Sequence, residues 1–366
     1  MTMKPHPWTR MLLVIGLGVT IMAPLASVPA WAAPANAYVV HDLVSDGAHP
    51  ADTTDPNLVN AWGLTAGPTT PWWVADNGTD LSTLYTAAGA KVALEVQVGG
   101  GPTGAVFNGT TSFVVTNGTA SGPALFLFAS EDGAIRGWNP AVPPPPPSHQ
   151  AQVAVDRSSV GAIYKGLAIG STPSGAPLLY AADFHNGRVD VFDGSFNLVS
   201  TPGAFTDPGL PTGYAPFGIQ SIGAQVFVTY AKQDADREDE VGGQSLGFVD
   251  VFDMSGAFQG RVATRGQLNA PWGLALAPGS FGRFAGDLLV GNFGDGEIHA
   301  YQLEDGTWVP RGALRGTEGR RIAIDGLWAL EFGNGAPNNG PTDTLFFTAG
   351  PDDESHGLFG TIRVAA

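Results

Sequence analysis

Runs of alternating apolar and polar residues recur along the chain, and each run is short and ends in a turn sequence. In LLYAADFHNGRVDVFD (178–193), two alternating runs flank an Asn-Gly pair. Alternation with a period of two residues and enrichment in Val, Phe and Tyr are typical of β-strands. Asn-Gly, Asp-Gly and Ser-Gly pairs are typical of the tight turns that join them. The pattern therefore predicts an all-β protein built from hairpins.

A short apolar phrase with a central glycine occurs six times, and strand-like runs follow each copy. The intervals between the glycines are 41, 62, 52, 55 and 53 residues, and the glycines are Gly63, Gly104, Gly166, Gly218, Gly273 and Gly326. This spacing is close to the length of a four-stranded propeller blade with its loops. The sequence predicts a six-bladed β-propeller of four-stranded antiparallel blades, as a single domain over residues 33–366. NLVSTPGAF (197–205) is expected to be the outer strand of the third blade.

The sixth unit shows three strand-like runs before Ala366, one fewer than a complete blade. An alternating segment, AYVVHDLVS (37–45), precedes the first glycine phrase. We expect this segment to pair with the last blade, because ring closure hides a strand edge that would otherwise be exposed. Deletion of residues 33–45 is therefore expected to abolish soluble folding.

Several phrases resemble known propeller sequences. PLLYAADFHNGRVDVFDGSF (177–196) resembles the repeat of NHL-type propellers. The chain as a whole is similar to an uncharacterised family of secreted bacterial proteins, through phrases that include DPNLVNAWGL (55–64), NAPWGLALAP (269–278) and FTAGPDDESHGLFG (347–360). This resemblance implies an exported bacterial β-propeller of unknown function, and it assigns no catalytic residues to this chain.

Residues 1–32 are typical of a secretory signal peptide. Lys4 and Arg10 precede or flank an apolar stretch, and Ala30-Trp31-Ala32 supplies small residues around a cleavage point. A single membrane anchor is the alternative, but glycines and a proline interrupt the short apolar run. We therefore expect an extracytoplasmic protein, secreted or periplasmic, with no integral membrane segment once the signal is removed.

Charge and composition exclude several classes of function. The formal net charge is −16, and it becomes −18 when the signal is removed, so nucleic acid and anionic membranes are not expected partners. The chain has no cysteine, which excludes disulfides and thiolate chemistry. Two short glycine motifs match known sequence patterns without the structural context that those patterns need. GGGPTG (99–104) fits the pattern of a nucleotide-binding loop, and GQSLG (243–247) fits that of a nucleophile elbow, but no helix is predicted after either. We expect neither nucleotide nor haem as a cofactor. We also expect the protein to be a monomer.

Acidic, amide and histidine side chains concentrate in the loops between the second and third strands of the predicted blades. In a propeller these loops share one face with the connections that enter the inner strands, so we expect a common acidic mouth. Such a mouth needs a counter-charge, and oxygen-rich surroundings suit Ca²⁺ or another divalent cation. The candidate metal ligands are Asp76, Asp183, Asp236, Asp352 and Asp353. The alternative to a metal site is an acidic surface that is hydrated and binds no cation, above all at DADREDE (234–240).

Two histidines lie in the same set of loops. His185 and His356, in the third and sixth blades, are the candidate catalytic residues, as proton carriers, and with Asp183 or Asp352 they would permit Zn²⁺. They could converge only over the central channel. Hydrogen bonding of His185 within its own turn is the alternative. Three tryptophans recur at the inner-strand phrases, either packing between blades or lining the mouth: Trp62, Trp272 and Trp328.

Two functions are compatible with these residues. The first is a non-catalytic binding or scaffold propeller for an unknown extracellular ligand, polymer or protein, with a divalent-cation site on its acidic face. The alternative is a metal-dependent lactone or ester hydrolase or lyase, resembling six-bladed lactonases. Such a centre would take Glu, Asn and Asp from inner strands, whereas the inner phrases here are mostly Gly, Leu, Ala and Trp. The sequence therefore favours binding.

Overall fold

The computed structural model describes residues 37–201 and 203–365, so the predicted signal peptide over 1–32 lies outside the described residues. Strands occupy most of the regular structure in this part of the chain, together with three single-turn 3₁₀ helices at Asn77–Thr79, Ser158–Val160 and Gly282–Phe284. None of its helices has the length and apolar character needed to span a bilayer. The predicted all-β class is confirmed.

Six antiparallel sheets form the blades of a six-bladed propeller, as the glycine spacing predicts. The strands of each blade are given from the axis outward. Blade 1 contains Ala61–Thr65, Trp72–Asp76, Leu81–Tyr85 and Val96–Gln97. Blade 2 contains Pro102–Phe107, Phe126–Ser130, Ala134–Trp138 and Gln152–Asp156. Blade 3 contains Tyr164–Ser171, Pro177–Asp183 and Arg188–Asp193.

The second half of the ring follows the same plan. Blade 4 contains Tyr214–Ile222, Gln225–Lys232, Phe248–Asp253 and Phe258–Thr264. Blade 5 contains Pro271–Leu276, Leu288–Asn292, Ile298–Glu304 and Thr307–Ala313. Blade 6 contains Leu327–Phe332, Leu345–Ala349, Leu358–Val364 and Tyr38–Ser45, with Thr53–Thr54 added in parallel. The connection between the first and second strands of blade 2 contains a separate hairpin, formed by Val114–Thr116 and Ser121–Pro123.

The strand Tyr38–Ser45 closes the ring. It pairs antiparallel with Leu358–Val364, from Tyr38 opposite Val364 to Ser45 opposite Leu358. Leu43 and Val44 are buried against blade 1 and blade 6 residues, so the strand contributes apolar burial as well as main-chain hydrogen bonds. The predicted closing segment over 37–45 is therefore confirmed.

The described residues of 197–205 form no outer strand in blade 3, so this prediction is wrong. Among them, Leu198 makes an isolated bridge with Phe192 and the Val199 N–H donates to the Val191 carbonyl. Gly203 and Phe205 have positive φ angles of 77° and 53°, which do not fit an extended strand. The ring of Phe205 instead inserts between blades 3 and 4, 5.5 Å from Tyr180 and 5.2 Å from Phe252. Burial of this aromatic ring outweighs the loss of a few strand hydrogen bonds.

The repeated glycines are explained by close approach between neighbouring inner strands. A Cβ atom on Gly218 would lie 2.1 Å from the main-chain oxygen of Trp272 in the next blade, and one on Gly63 would lie 2.2 Å from that of Thr103. Blade 6 differs from the predicted alignment on Gly326. There the equivalent residue is Ala329, whose N–H donates to Thr348 Oγ1 as the Gly218 N–H donates to Thr229 Oγ1.

Candidate functional site

Each inner strand carries an irregularity in its pairing with the second strand of its blade at the glycine phrase. The residue just before the glycine, or before Ala329 in blade 6, therefore occupies an equivalent position in every blade. The six residues at this position are Trp62, Thr103, Lys165, Phe217, Trp272 and Trp328. Side chains from several of these blades touch one another, which places them at the central axis.

The tryptophans form an aromatic plug across the channel. The rings of Trp62 and Trp328 are stacked with centroids 3.7 Å apart, and Trp272 meets both edge-on at 6.5 and 5.9 Å. Phe217 and Phe293 pack on Trp328 from blades 4 and 5. The tryptophans thus pack against one another at the axis, in contacts that join the neighbouring blades 5, 6 and 1, and the plug divides the channel into two parts.

Lys165 is the charged residue among the six axial positions. Its side chain is 2% exposed, and its Nζ lies 2.5 Å from Glu131 Oε1 and 3.0 Å from Asp239 Oδ1. The ammonium also lies 5.2 Å from the centre of the Trp62 ring, within the range of a cation–π contact. Glu131 and Asp239 come from loops between the second and third strands of blades 2 and 4. Lys165 therefore joins three blades at one face of the ring.

Burial by itself would lower the pKa of Lys165, but the carboxylates of Glu131, Glu240 and Asp239 outweigh burial and raise the pKa above its ordinary value. The amine therefore stays protonated at neutral pH. A protonated amine is neither a nucleophile nor a general base. Its role is that of a fixed positive charge.

Two asparagines extend this network to blades 1 and 6. Asn60 Nδ2 donates to Glu354 Oε2 at 2.6 Å and to Asn77 Oδ1 at 3.2 Å, while Asn77 Nδ2 donates to Glu131 Oε2 at 2.8 Å. The indole N–H of Trp328 donates to Asn60 Oδ1 at 2.8 Å, which ties the network to the plug below it. We call these residues the mouth cluster: Asn60, Asn77, Glu131, Lys165, Asp239, Glu240 and Glu354.

The mouth cluster holds four carboxyl groups and one ammonium. Burial raises the pKa of Glu240 to about 8, with Glu354 and Asp239 acting in the same direction against Lys165. Burial also raises the pKa of Glu354. An excess of acid over base is thus retained at the mouth, and part of it is held as protonated carboxyl groups at neutral pH.

The acidic mouth expected from the sequence is present, and it contains two residues that were not among the candidates, Lys165 and Glu131. The expected counter-charge was a divalent cation, whereas the chain supplies an ammonium of its own. The signal was available in YKGLAIG (164–170), where a lysine stands at the position that holds Trp, Thr or Phe in the other phrases.

Asp76 and Asp183, two of the candidate metal ligands, are fully buried at the ends of second strands. Asp76 Oδ2 accepts the Thr83 N–H at 2.8 Å. Asp183 Oδ2 accepts from Asn186 Nδ2 at 2.8 Å and pairs with Arg188 at 3.2 Å. Burial raises the pKa of both carboxyl groups. These contacts fix the hairpins of blades 1 and 3, and neither residue joins the mouth cluster.

The candidate histidines lie in separate surroundings. His356 Nδ1 lies 2.6 Å from Asp46 Oδ2, and His49 Nε2 lies 3.1 Å from Asp352 Oδ2. The rings of His49 and His356 meet edge-on at 6.1 Å. His185 packs beside Gly161 in blade 3. The structure thus brings His356 together with His49, and it does not pair His356 with His185.

The remaining candidate ligands, Asp236 and Asp353, are exposed in their loops. Over residues 37–201 and 203–365, no three His, Asp or Glu side chains are grouped in a way that could hold a metal ion. The metal and catalytic assignments made from the sequence remain predictions.

Comparison with other proteins gives relatives of the whole propeller. No model of a known protein family matches the chain. The chain is 34% identical over 338 residues to Uncharacterized protein R648 of Acanthamoeba polyphaga mimivirus, a match that covers 89% of this chain and 80% of the relative. It is 32% identical over 340 residues to Uncharacterized protein L690 of the same virus, with 89% of this chain and 85% of the relative covered.

Solved structures agree with the fold. The soluble aldose sugar dehydrogenase of Escherichia coli in its apo form superposes with a TM-score of 0.53 over 90% of this chain and 100% of that protein. Because the sequence identity is 12%, this similarity supports the propeller fold alone. The sequence relatives are viral, so they do not support the expected bacterial origin. By its identity and coverage, the chain belongs to the same family as the uncharacterised mimivirus proteins R648 and L690.

Proposed function

We propose that this protein is a non-catalytic binding propeller, exported from the cell, whose acidic mouth receives a positively charged group of an extracellular ligand or partner. The observation that carries the proposal is the composition of the mouth cluster, in which four carboxyl groups from three blades surround one buried ammonium. The exposed acids of loop 234–240 add further negative charge beside it. Charge complementarity of this kind favours a cationic partner.

The contacts within this network argue against a catalytic role for Lys165, Glu131, Asn60 and Asn77. Lys165 is held protonated by its carboxylates, and Glu131, Asn60 and Asn77 are each engaged with another member of the cluster. A catalytic centre needs a group that is free to take or give a proton at the reacting atom. Rigid, mutually satisfied side chains are better suited to presenting a fixed charge pattern.

We include a divalent cation, such as Ca²⁺, among the positively charged ligands proposed for the mouth. Asp239 and Glu354 are partly exposed carboxylates at the mouth, and carboxylate oxygens are the ligands that Ca²⁺ prefers. The metal-dependent hydrolase or lyase considered from the sequence has no comparable support, because similarity at 12% identity to an enzyme carries the fold and no activity.

The proposal is tested by titrating residues 33–366 with oligolysine and with oligoglutamate of equal length, at low salt and at 0.15 M salt. We expect saturable binding of oligolysine, weakened by salt, and none of oligoglutamate. The double variant Asp239→Asn/Glu354→Gln should lose most of this binding.

The matched control is Glu304→Gln/Asp305→Asn, which removes the same charge from an exposed turn between the third and fourth strands of blade 5, on the opposite face. This control should bind oligolysine as the wild type does. Equal losses in both double variants would show a general effect of net charge and would overturn the assignment to the mouth.

A further inference from the structure

A second cavity lies in the central channel on the other side of the aromatic plug. Inner strands enter at the mouth and end at the opposite face, so Glu331, three residues beyond Trp328, lies deeper in the channel than the plug. The cavity has a volume of about 220 Å³ and is lined by residues from the ends of the inner strands of blades 1, 2, 3, 4 and 6. A narrower part, about 20 Å³, continues beneath Trp272. We call the two parts together the lower channel.

The wall of the lower channel is mostly aliphatic. The residue after each glycine, or after Ala329, contributes to a ring of apolar side chains made of Leu64, Ala105, Leu167, Ile219, Leu274 and Leu330. Gln220, Ser221 and Thr65 add uncharged polar groups nearer the opening. Glu331 is the one charged or titratable residue that lines either part, within the described residues.

Glu331 has no hydrogen-bond or ion-pair partner for its carboxyl group among the described side chains. Its surroundings therefore differ from those of the buried acids Asp76 and Asp183, each of which accepts hydrogen bonds. Burial alone raises the pKa of Glu331 to about 8. Glu331 is half-buried at the channel wall, and its carboxyl group has no counter-charge there when it ionises. A ligand that carries a positive charge would offset the cost of ionising it.

We propose that the lower channel binds a small organic cation, whose ammonium group pairs with Glu331 and Gln220 and whose aliphatic part packs on the ring of Leu64, Leu167 and Leu274. The side-chain amide oxygen of Gln220 is a further acceptor for an ammonium N–H. The aliphatic wall matches a hydrocarbon chain, and the volume suits a compact molecule. This site is separate from the mouth cluster, because the aromatic plug lies between them.

A metal ion is a poorer match to the same residues. Calcium takes six to eight oxygen ligands, whereas the lower channel offers one carboxyl group with an amide and hydroxyl groups. An anionic ligand is opposed by the charge of Glu331 once this carboxyl group is ionised, which requires a pH above about 8. The chemistry of the wall thus selects an ammonium on an aliphatic chain.

The test uses three probes of similar shape, n-butylammonium, n-butanol and butyrate, titrated calorimetrically into residues 33–366 at pH 8.5, where Glu331 is largely ionised. We expect saturable binding of butylammonium, weaker binding of butanol and none of butyrate. Glu331→Gln, which keeps the shape of the side chain, should weaken butylammonium at least tenfold, or by ~1.4 kcal/mol. Asp343→Asn, an exposed acid between the first two strands of blade 6, is the matched control and should change nothing.

A pH series gives an independent readout on the wild type. Butylammonium should bind more tightly at pH 8.5 than at pH 6.5, because Glu331 must lose its proton to pair with the cation, and no other titratable group faces it from the lining residues. Butylammonium binding no tighter than butanol binding, or unchanged in Glu331→Gln, would overturn the proposal. The variant Asp239→Asn/Glu354→Gln should still bind butylammonium, which separates this site from the proposed function of the mouth.

Discussion

The Nζ atom of Lys165 in blade 3 lies 2.5 Å from Oε1 of Glu131 in blade 2, and Lys165 is among the most deeply buried side chains of the protein. A second bond to Asp239 extends the pair to blade 4. The contact therefore fixes three neighbouring blades to one another at the axis. It also sets the charge of the mouth, because the ammonium compensates only part of the surrounding acid.

Replacement of Lys165 by methionine should destabilise the fold at neutral pH. The substitution leaves Glu131, Asp239 and Glu240 without their common counter-charge, and removal of one partner of a buried pair typically costs about 3–5 kcal/mol. Because Glu131 is partly exposed and Asp239 is exposed, we expect a smaller loss than this range, about 2–3 kcal/mol in the free energy of unfolding measured with urea. The loss should shrink as the pH is lowered, because burial raises the pKa of Glu354 and its protonation removes one negative charge from the mouth.

Lys232→Met is the control for this experiment, since Lys232 is exposed at the end of a strand in blade 4. It should leave the urea midpoint within experimental error at both pH values. An unchanged midpoint in Lys165→Met would show that the ammonium does not hold the mouth together.

Calcium affinity should rise when the ammonium is removed. In the wild type, Lys165 occupies the oxygens of Glu131 and Asp239 that a divalent cation would need. Lys165→Met frees these oxygens, so added Ca²⁺ should raise the melting temperature of the variant by more than that of the wild type, and EDTA should reverse the increase. A larger response in the wild type would contradict competition between the two cations. Metal content of protein purified without chelator completes the measurement.

Glu331 should make stability fall as pH rises. Its pKa is about 8 in the folded chain against an ordinary value of 4.5, so between these values the folded protein keeps a proton that the unfolded chain releases. Stability therefore declines from about pH 4.5 to about pH 8 and is unaffected by this group outside that window. Glu331→Gln should remove this part of the decline.

The variant should accordingly be more stable than the wild type at pH 8, by on the order of 2–4 kcal/mol, and equally stable at pH 4.5. The measurement is urea unfolding of both proteins across the range. Parallel stability curves for the two proteins would mean that Glu331 ionises normally.

Gly218→Ala should destabilise the propeller through a steric clash between the inner strands of blades 4 and 5. The added methyl group would lie 2.1 Å from the main-chain oxygen of Trp272, and neither inner strand can retreat without disturbing its own blade. We expect a loss of ~3 kcal/mol or more in unfolding free energy. Gly279→Ala is the control, because a Cβ atom there meets nothing within 4 Å. Equal stability of the two variants would refute the close-approach explanation of the glycines.

The closing strand offers a matched pair of substitutions. Leu43 is 4% exposed and Val39 is 48% exposed, and both lie in Tyr38–Ser45. Leu43→Asp buries a charge in the contact between blades 6 and 1 and should lower the yield of soluble protein, as deletion of residues 33–45 should. Val39→Asp should fold normally. A cooperative thermal transition in the deleted protein would show that ring closure is dispensable.

The fold was predictable because its signals are local. Alternation, turn residues and six glycine phrases recur at blade-length intervals, and each is set by residues adjacent in sequence. The closing strand was equally predictable. The last unit has one strand fewer than a complete blade, and a strand-like segment precedes the first unit, so the two can pair. Local patterns were wrong where a tertiary contact prevailed, as at Phe205, whose ring enters the core in place of an outer strand.

The sequence by itself determined the blade count, the ring closure and the face on which acidic loops gather. Only the tertiary structure decided which of those acids meet. Asp76 and Asp183 turn back to hold their own hairpins, while Glu131 and Lys165, 34 positions apart, meet at the axis. The physical reason is that a propeller axis collects one position from every blade, and no sequence pattern reports which side chains from distant repeats face one another across it.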